Sequence, residues 1–155
     1  MVGFDAREWL QGVADAVAFV RNADRLAEER REVATAYGAT IKDVMVASTP
    51  SQDVMAPIDN LMMAETANAK LVEQALAEIA EARLVLAGMR AVGPNERTAA
   101  DVLECRYVEL WSLERVSALM LVSVSTVRRR VEYGIDWLDA HGLAHAKAGA
   151  GVAEV

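Results

Sequence analysis

The chain has 155 residues, 54% of them hydrophobic, with 23 acidic and 16 basic side chains and a net charge of −7. That length suits one domain, or a small domain with an extension, and the hydrophobic fraction excludes a disordered acidic protein. Much of the apolar content is alanine and only eight residues are aromatic, so long helices packed through small side chains are expected rather than one thick core.

The single cysteine, Cys105, excludes an internal disulfide and suits a reducing compartment. No apolar run approaches the roughly 18 residues of a membrane span. The opening MVGFDAREWLQGVADA lacks a basic-then-apolar leader pattern. A soluble, cytoplasmic protein with no membrane partner is expected.

Residues 5–37 contain one glycine and no proline. Trp9, Val13, Ala16, Val20, Ala23, Ala27, Ala34 and Tyr37 recur at three- and four-residue steps, with Arg30 interrupting, so the stretch predicts one amphipathic helix. Gly38 is a stop signal. Residues 38–56 lose the period, and Ser48-Thr49-Pro50-Ser51 is a turn signal, so this stretch reads as a linker. Residues 57–91 open with Pro57 and predict a second long helix. Ile58, Leu61, Glu65, Asn68, Val72, Ala75, Ile79, Ala82, Leu86 and Met89 form a heptad series in which Glu65 and Asn68 are polar. Such a stripe must be covered, either by helix 5–37 folding back antiparallel or by another subunit. Residues 1–93 therefore predict a long, coiled-coil-like helical hairpin used for homo-oligomerisation.

After Gly93-Pro94 the pattern changes to short helices, with Asn95 as the expected N-cap of the first. Residues 95–110 place Leu103, Tyr107 and Leu110 on one face, with Val102 and Cys105 beside it. Cys105 reads as a small core residue. Ser112 is placed to cap LERVSALM, burying Val116, Leu119 and Met120. Ser123 is placed to cap a third helix, 123–138, whose buried stripe is Val124, Val127, Val131, Ile135 and Leu138. Three short helices with a tight turn between the last two describe a helix-turn-helix module over residues 94–142. Gly142 is expected to break the helix, and residues 143–155 read as a flexible tail. Trp111 and Trp137 read as packing residues.

At about 100° per residue, Ser125, Thr126, Arg129 and Tyr133 fall opposite the buried stripe, with Arg128 and Arg130 on their flanks. The N-terminal end of such a helix enters the major groove of DNA. Arg129 and Ser125 are expected at base edges, and Arg128, Arg130 and Thr126 at the backbone, with Ser123 and Tyr133 completing the face. The net charge argues against DNA only in part. Residues 1–94 carry 14 acidic and 9 basic side chains, against 8 and 6 in residues 95–142. Fields beyond about 8 Å are strongly screened at physiological salt. Glu132, Asp136 and Asp139 still leave a single module mildly acidic, so several linked copies are expected to bind where one binds weakly.

Residues 100–138, ADVLECRYVELWSLERVSALMLVSVSTVRRRVEYGIDWL, resemble the fourth region of bacterial sigma factors. More closely, the chain resembles the phage-encoded ArpU-like regulators, which join a helical N-terminal part to a sigma-like helix-turn-helix. The resemblance rests on Arg106-Tyr107, Ser112, Val116, Val122-Ser123 and Thr126-Val127. It is extended by the order of a long helix, a Ser-Thr-Pro linker with Asp53, and a helix opening at Ile58-Asp59. The family usually has glycine where Leu110 and Leu121 stand, a small residue at Ser117 and an acidic residue at Arg115. A left-handed leucine at 121 would cost on the order of 1 kcal/mol.

The resemblance implies a prophage or phage transcriptional regulator of late, packaging or lysis genes, binding double-stranded DNA, with RNA polymerase as a further candidate partner. Two alternatives stand beside it: a small terminase subunit recognising DNA for packaging, and a protein-interaction module that binds polymerase or another protein without reading DNA. The sequence has no Gly-rich phosphate loop, paired catalytic carboxylates or Ser/His/Asp set. Neither an enzyme nor a cofactor is expected. His141 and His145 have a metal-compatible spacing but no further ligand beside them, so no metal site is expected either.

Overall fold

The computed structural model describes residues 3–45, 55–149 and 151, with side-chain surroundings for 3–36, 65–149 and 151. The described residues form five α-helices and one π-helical turn, with no strand among them. None of these helices is long and apolar enough to cross a membrane. The Ser48–Ser51 turn and Asp53 lie outside the described residues, as do residues 152–155 and the side chains of Tyr37, Ile58 and Leu61.

Helix α1 spans Ala6–Met45. Asp5 starts it, accepting the Glu8 backbone N–H on its carboxylate at 3.1 Å and the Trp9 N–H on its carbonyl at 3.0 Å. The helix runs through Gly38, the expected stop. One interior glycine costs about 1 kcal/mol, which a helix of 40 residues tolerates. Helix α2 spans Met55–Arg90, with Pro57 in its first turn.

The chain divides into two compact units. One comprises residues 1–17 and 75–155, the other residues 18–74. The first unit therefore does not begin near residue 94, because it includes the start of α1 and the end of α2. Along α1 it buries Ala6, Leu10, Val13, Ala14, Ala16 and Val17. Along α2 it buries Ala75, Ile79, Ala82, Val85, Leu86 and Met89. The C-terminal half of the α2 heptad series is thus covered within one chain. In the second unit, Phe19, Ala23, Leu26 and Ala27 of α1 line one groove together with Glu65, Asn68, Ala69 and Val72 of α2. Glu65 and Asn68 are exposed there.

Helix α3, Pro94–Leu103, starts one residue before the expected cap. Pro94 supplies a φ already suited to a first turn. The extended Gly93 accepts the Arg97 N–H on its carbonyl at 2.9 Å, so the Asn95 side chain is not the cap. At its other end α3 widens into a π-turn, Glu104–Val108. The extra residue rotates the following side chains. Val108 is buried in place of Tyr107, which is half-buried like Cys105 and Leu110. Arg90 joins α2 to this region through Asp101, at 2.7 Å, and Glu104.

Helix α4, Leu113–Met120, is capped as expected by Ser112, whose hydroxyl accepts the Arg115 N–H at 3.2 Å. Val116 is fully buried, but Leu119 is 57% exposed. In so short a helix the inward side follows Leu113, Val116, Ser117 and Met120, and Leu119 falls more than about 100° from its centre.

Helix α5 covers Val124–Gly149 with a break at Gly142, where φ is 82° and ψ 168°. Its first segment packs on both α3 and α4. Val127, Val131, Ile135, Trp137 and Leu138 are buried, while Val124 is half-buried. Gly134 allows α3 to approach closely: a Cβ there would lie 2.7 Å from Leu103 Cδ1. Residues 143–149 are helical, which differs from the expected tail. Ala146 is fully buried and Lys147 reaches Glu81 of α2 at 3.0 Å, so this last segment is tied to the unit.

Candidate functional site

The start of α5 is set by the turn before it. Leu121 adopts a left-handed conformation, φ 57° and ψ 41°, and its N–H returns to the Ser117 carbonyl. The Val122 N–H reaches the same carbonyl at 3.2 Å, and the Ser117 hydroxyl donates to the Val122 carbonyl. These bonds satisfy the last carbonyls of α4 and reverse the chain within three residues. Leu121 is 91% exposed, so the backbone bonds hold the turn rather than packing of the leucine. Among the described residues, the other non-glycine residue with positive φ is Leu110, at 59°. Arg106 braces that bend by donating to the Trp111 carbonyl at 2.6 Å. Arg115 covers the Trp111 ring, its guanidinium carbon 4.1 Å from the ring centroid.

Ser123 then caps α5. Its hydroxyl accepts the Thr126 N–H at 3.2 Å and lies 3.0 Å from the Thr126 hydroxyl, and its carbonyl accepts the Val127 N–H at 3.1 Å. With Val127 fully buried, the rotation of the helix is fixed. Ser125, Arg128 and Arg129 are exposed, and Thr126 and Arg130 are half-buried. Tyr133 is 41% exposed, but its hydroxyl donates to Glu96 of α3 at 2.9 Å. That bond raises the phenol pKa and pins the ring. Of the seven residues expected on this face, Ser123 and Thr126 thus have their hydroxyls engaged in the cap, and Tyr133 is tied to α3. Arg129, Arg130 and Tyr133 line a shallow depression with Asn95, Thr98 and Ala99 of α3. Neither Asn95 nor Thr98 was expected there, because the crossing of α3 over α5 has no local signature in the sequence.

Arg128, Arg129 and Arg130 make no ion pair with any described residue. The carboxylates further along α5 are placed differently. Glu132 holds Arg7 of α1 through both oxygens, at 2.6 and 2.7 Å. This hydrogen bond and the accompanying charge raise the Arg7 pKa. Asp139 accepts the backbone N–H of Ala6 at 2.7 Å, at the positive end of α1. Two of the three acids that made the module acidic in isolation are therefore matched by the start of α1, more than 120 residues earlier.

The remaining reactive side chains are in quiet surroundings. Burial, then the nearby Glu104, Asp101 and Glu109 carboxylates, push the Cys105 thiol pKa up, which suppresses the nucleophilic thiolate. His141 stacks on Trp137 with ring centroids 4.3 Å apart, and His145 lies 5.1 Å from His141. Among the described residues no three His, Cys, Asp or Glu side chains are grouped to hold a metal ion.

No protein-family model matches the chain, and no curated protein or solved structure matches it.

Proposed function

We propose that the chain is a sequence-specific DNA-binding transcriptional regulator of the phage ArpU-like kind. In this reading α4 and α5 are the helix-turn-helix, and residues 1–93 contribute a helical hairpin through which copies associate. The observation that carries the reading is the start of α5. There a capped helix leaves a tight left-handed turn with Ser125, Arg128 and Arg129 exposed and no carboxylate paired to the arginines. Such an end fits the major groove, with Arg129 and Ser125 at base edges and Arg128, Arg130 and Thr126 toward phosphates. The backbone adds support. Leu110 and Leu121, the two non-glycine residues with positive φ among the described residues, stand where the family usually has glycine.

The test is binding to the DNA upstream of neighbouring genes across a salt series. Log affinity should fall against log salt with a slope near −0.9 per phosphate neutralised. Arg129→Ala should cost about 1–3 kcal/mol at the specific site, while Arg128→Ala should weaken all sequences alike and flatten the slope by about one. Absence of DNA binding by the native chain at low salt would sink the reading.

One observation favours a protein contact as well. Leu119 and Leu121 are 57% and 91% exposed side by side at the turn. In this second reading they touch RNA polymerase. Leu119→Ser would then lower transcription from a bound promoter without lowering DNA affinity.

A further inference from the structure

Helix α2 is apolar on two sides. One side is the buried series that ends at Leu86 and Met89. On the opposite side Leu76, Ala80, Leu84 and Ala87 are all exposed, the two leucines at 50% and 41%. A surface helix normally turns charged residues outward, and one that is apolar all round is normally buried. Between residues 76 and 87 the outer side carries a single charge, Arg83.

We propose that this outer face of α2 is where a second copy of the chain docks, antiparallel, about a two-fold axis passing Ala80. The spacing is self-complementary. Leu76 and Leu84 lie four residues to either side of Ala80, so the axis sets each leucine beside the other leucine of the partner. With alanine on the axis the two helix axes can approach to about 10 Å. Charge agrees as well. Arg83 lies about 4.5 Å beyond the axis along its helix, and the partner's Glu73 would lie about 10.5 Å beyond it on the same side. The arginine side chain spans the difference. Neither Glu73 nor Arg83 has an ion-pair partner among the described residues. Such a contact is isologous and closes on itself as a dimer.

The paired stretch, Glu73 to Ala87, is about 21 Å long. That is at the small end for a specific interface, so the dimer forms and dissociates with concentration. The proposal is independent of DNA binding. A dimer that ignores DNA would sink the regulator and leave this surface standing.

Sedimentation of the full chain over a concentration series should show a monomer passing to a dimer. Ala80→Arg and Leu84→Glu, both at exposed positions, should remain monomeric with unchanged helical circular dichroism. Under mild oxidation Ala80→Cys should form a cross-linked dimer. Ala87→Cys, about 21 Å from its symmetry mate along the axis, should not, and nor should the native chain with its half-buried Cys105. Arg83→Glu and Glu73→Arg should each weaken the dimer several-fold, and the double exchange should restore it. A single-chain mass at every concentration, a closed ring of many copies, or a dimer indifferent to Ala80→Arg and Leu84→Glu would each overturn the proposal.

Discussion

A leucine held at φ 57° with its side chain in water gains little from burial and carries the strain of the left-handed region. Leu121→Gly should therefore raise stability by about 1 kcal/mol, read as a higher urea midpoint at unchanged slope. An unchanged or lower midpoint would mean that the leucine contributes a contact in the folded chain. Leu121 was legible as an awkward residue from the sequence alone. How the turn survives was not, because the answer lies in Ser117, whose carbonyl takes two N–H groups and whose hydroxyl crosses to Val122. Cys105 makes a second residue-scale prediction. Its thiol pKa is raised, so the thiol stays protonated to higher pH than a free cysteine. Alkylation of the native chain should be slower than that of the urea-unfolded chain near pH 8.5, and the gap should close as pH rises through the folded value.

Local chemistry made some elements readable and long-range packing hid others. Ser112 and Ser123 cap their helices through bonds three residues long, which a sequence pattern contains. Asn95 was an equally good cap by composition, and it lost to the geometry that Pro94 imposes one residue earlier. The π-turn at Glu104–Val108 has no composition signal, yet it decides that Val108 and not Tyr107 faces inward. The segment after Gly142 read as a tail because its alanines carry little periodicity. Its order comes from the burial of Ala146 and from Lys147 meeting Glu81 in the C-terminal half of α2. Gly142 sits in a backbone region nearly closed to other residues, so Gly142→Ala should cost about 1–3 kcal/mol. Faster proteolytic cleavage after residue 142 should report it, and retained resistance would show that the segment docks without the break.

For the molecule as a whole, net charge was a poor guide to the surface around α5. Periodicity put Ser125, Arg128 and Arg129 on the exposed side of α5, but the matching of two nearby acids, Glu132 and Asp139, by α1 was invisible in sequence. Arg7→Ala should leave Glu132 uncompensated beside that face. If DNA binds there, affinity should drop about two-fold at low salt without the loss of any direct contact, and the difference should fade at high salt. Equal affinities at low salt would mean that the acid is already screened. The pair itself is exposed, so little change in thermal stability is expected.

The unit that carries α5 is assembled from both ends of the sequence, residues 1–17 with residues 75–155. During synthesis the buried face of early α1, with Leu10, Val13 and Val17, leaves the ribosome long before anything that covers it. At about 5–20 residues per second, the first residues of the covering half follow roughly 3–12 s later. The bonds from the start of α1 to α5, Arg7 to Glu132 and Ala6 to Asp139, wait longer still. For that interval the nascent chain exposes a sticky amphipathic helix, a natural client for ribosome-bound chaperones.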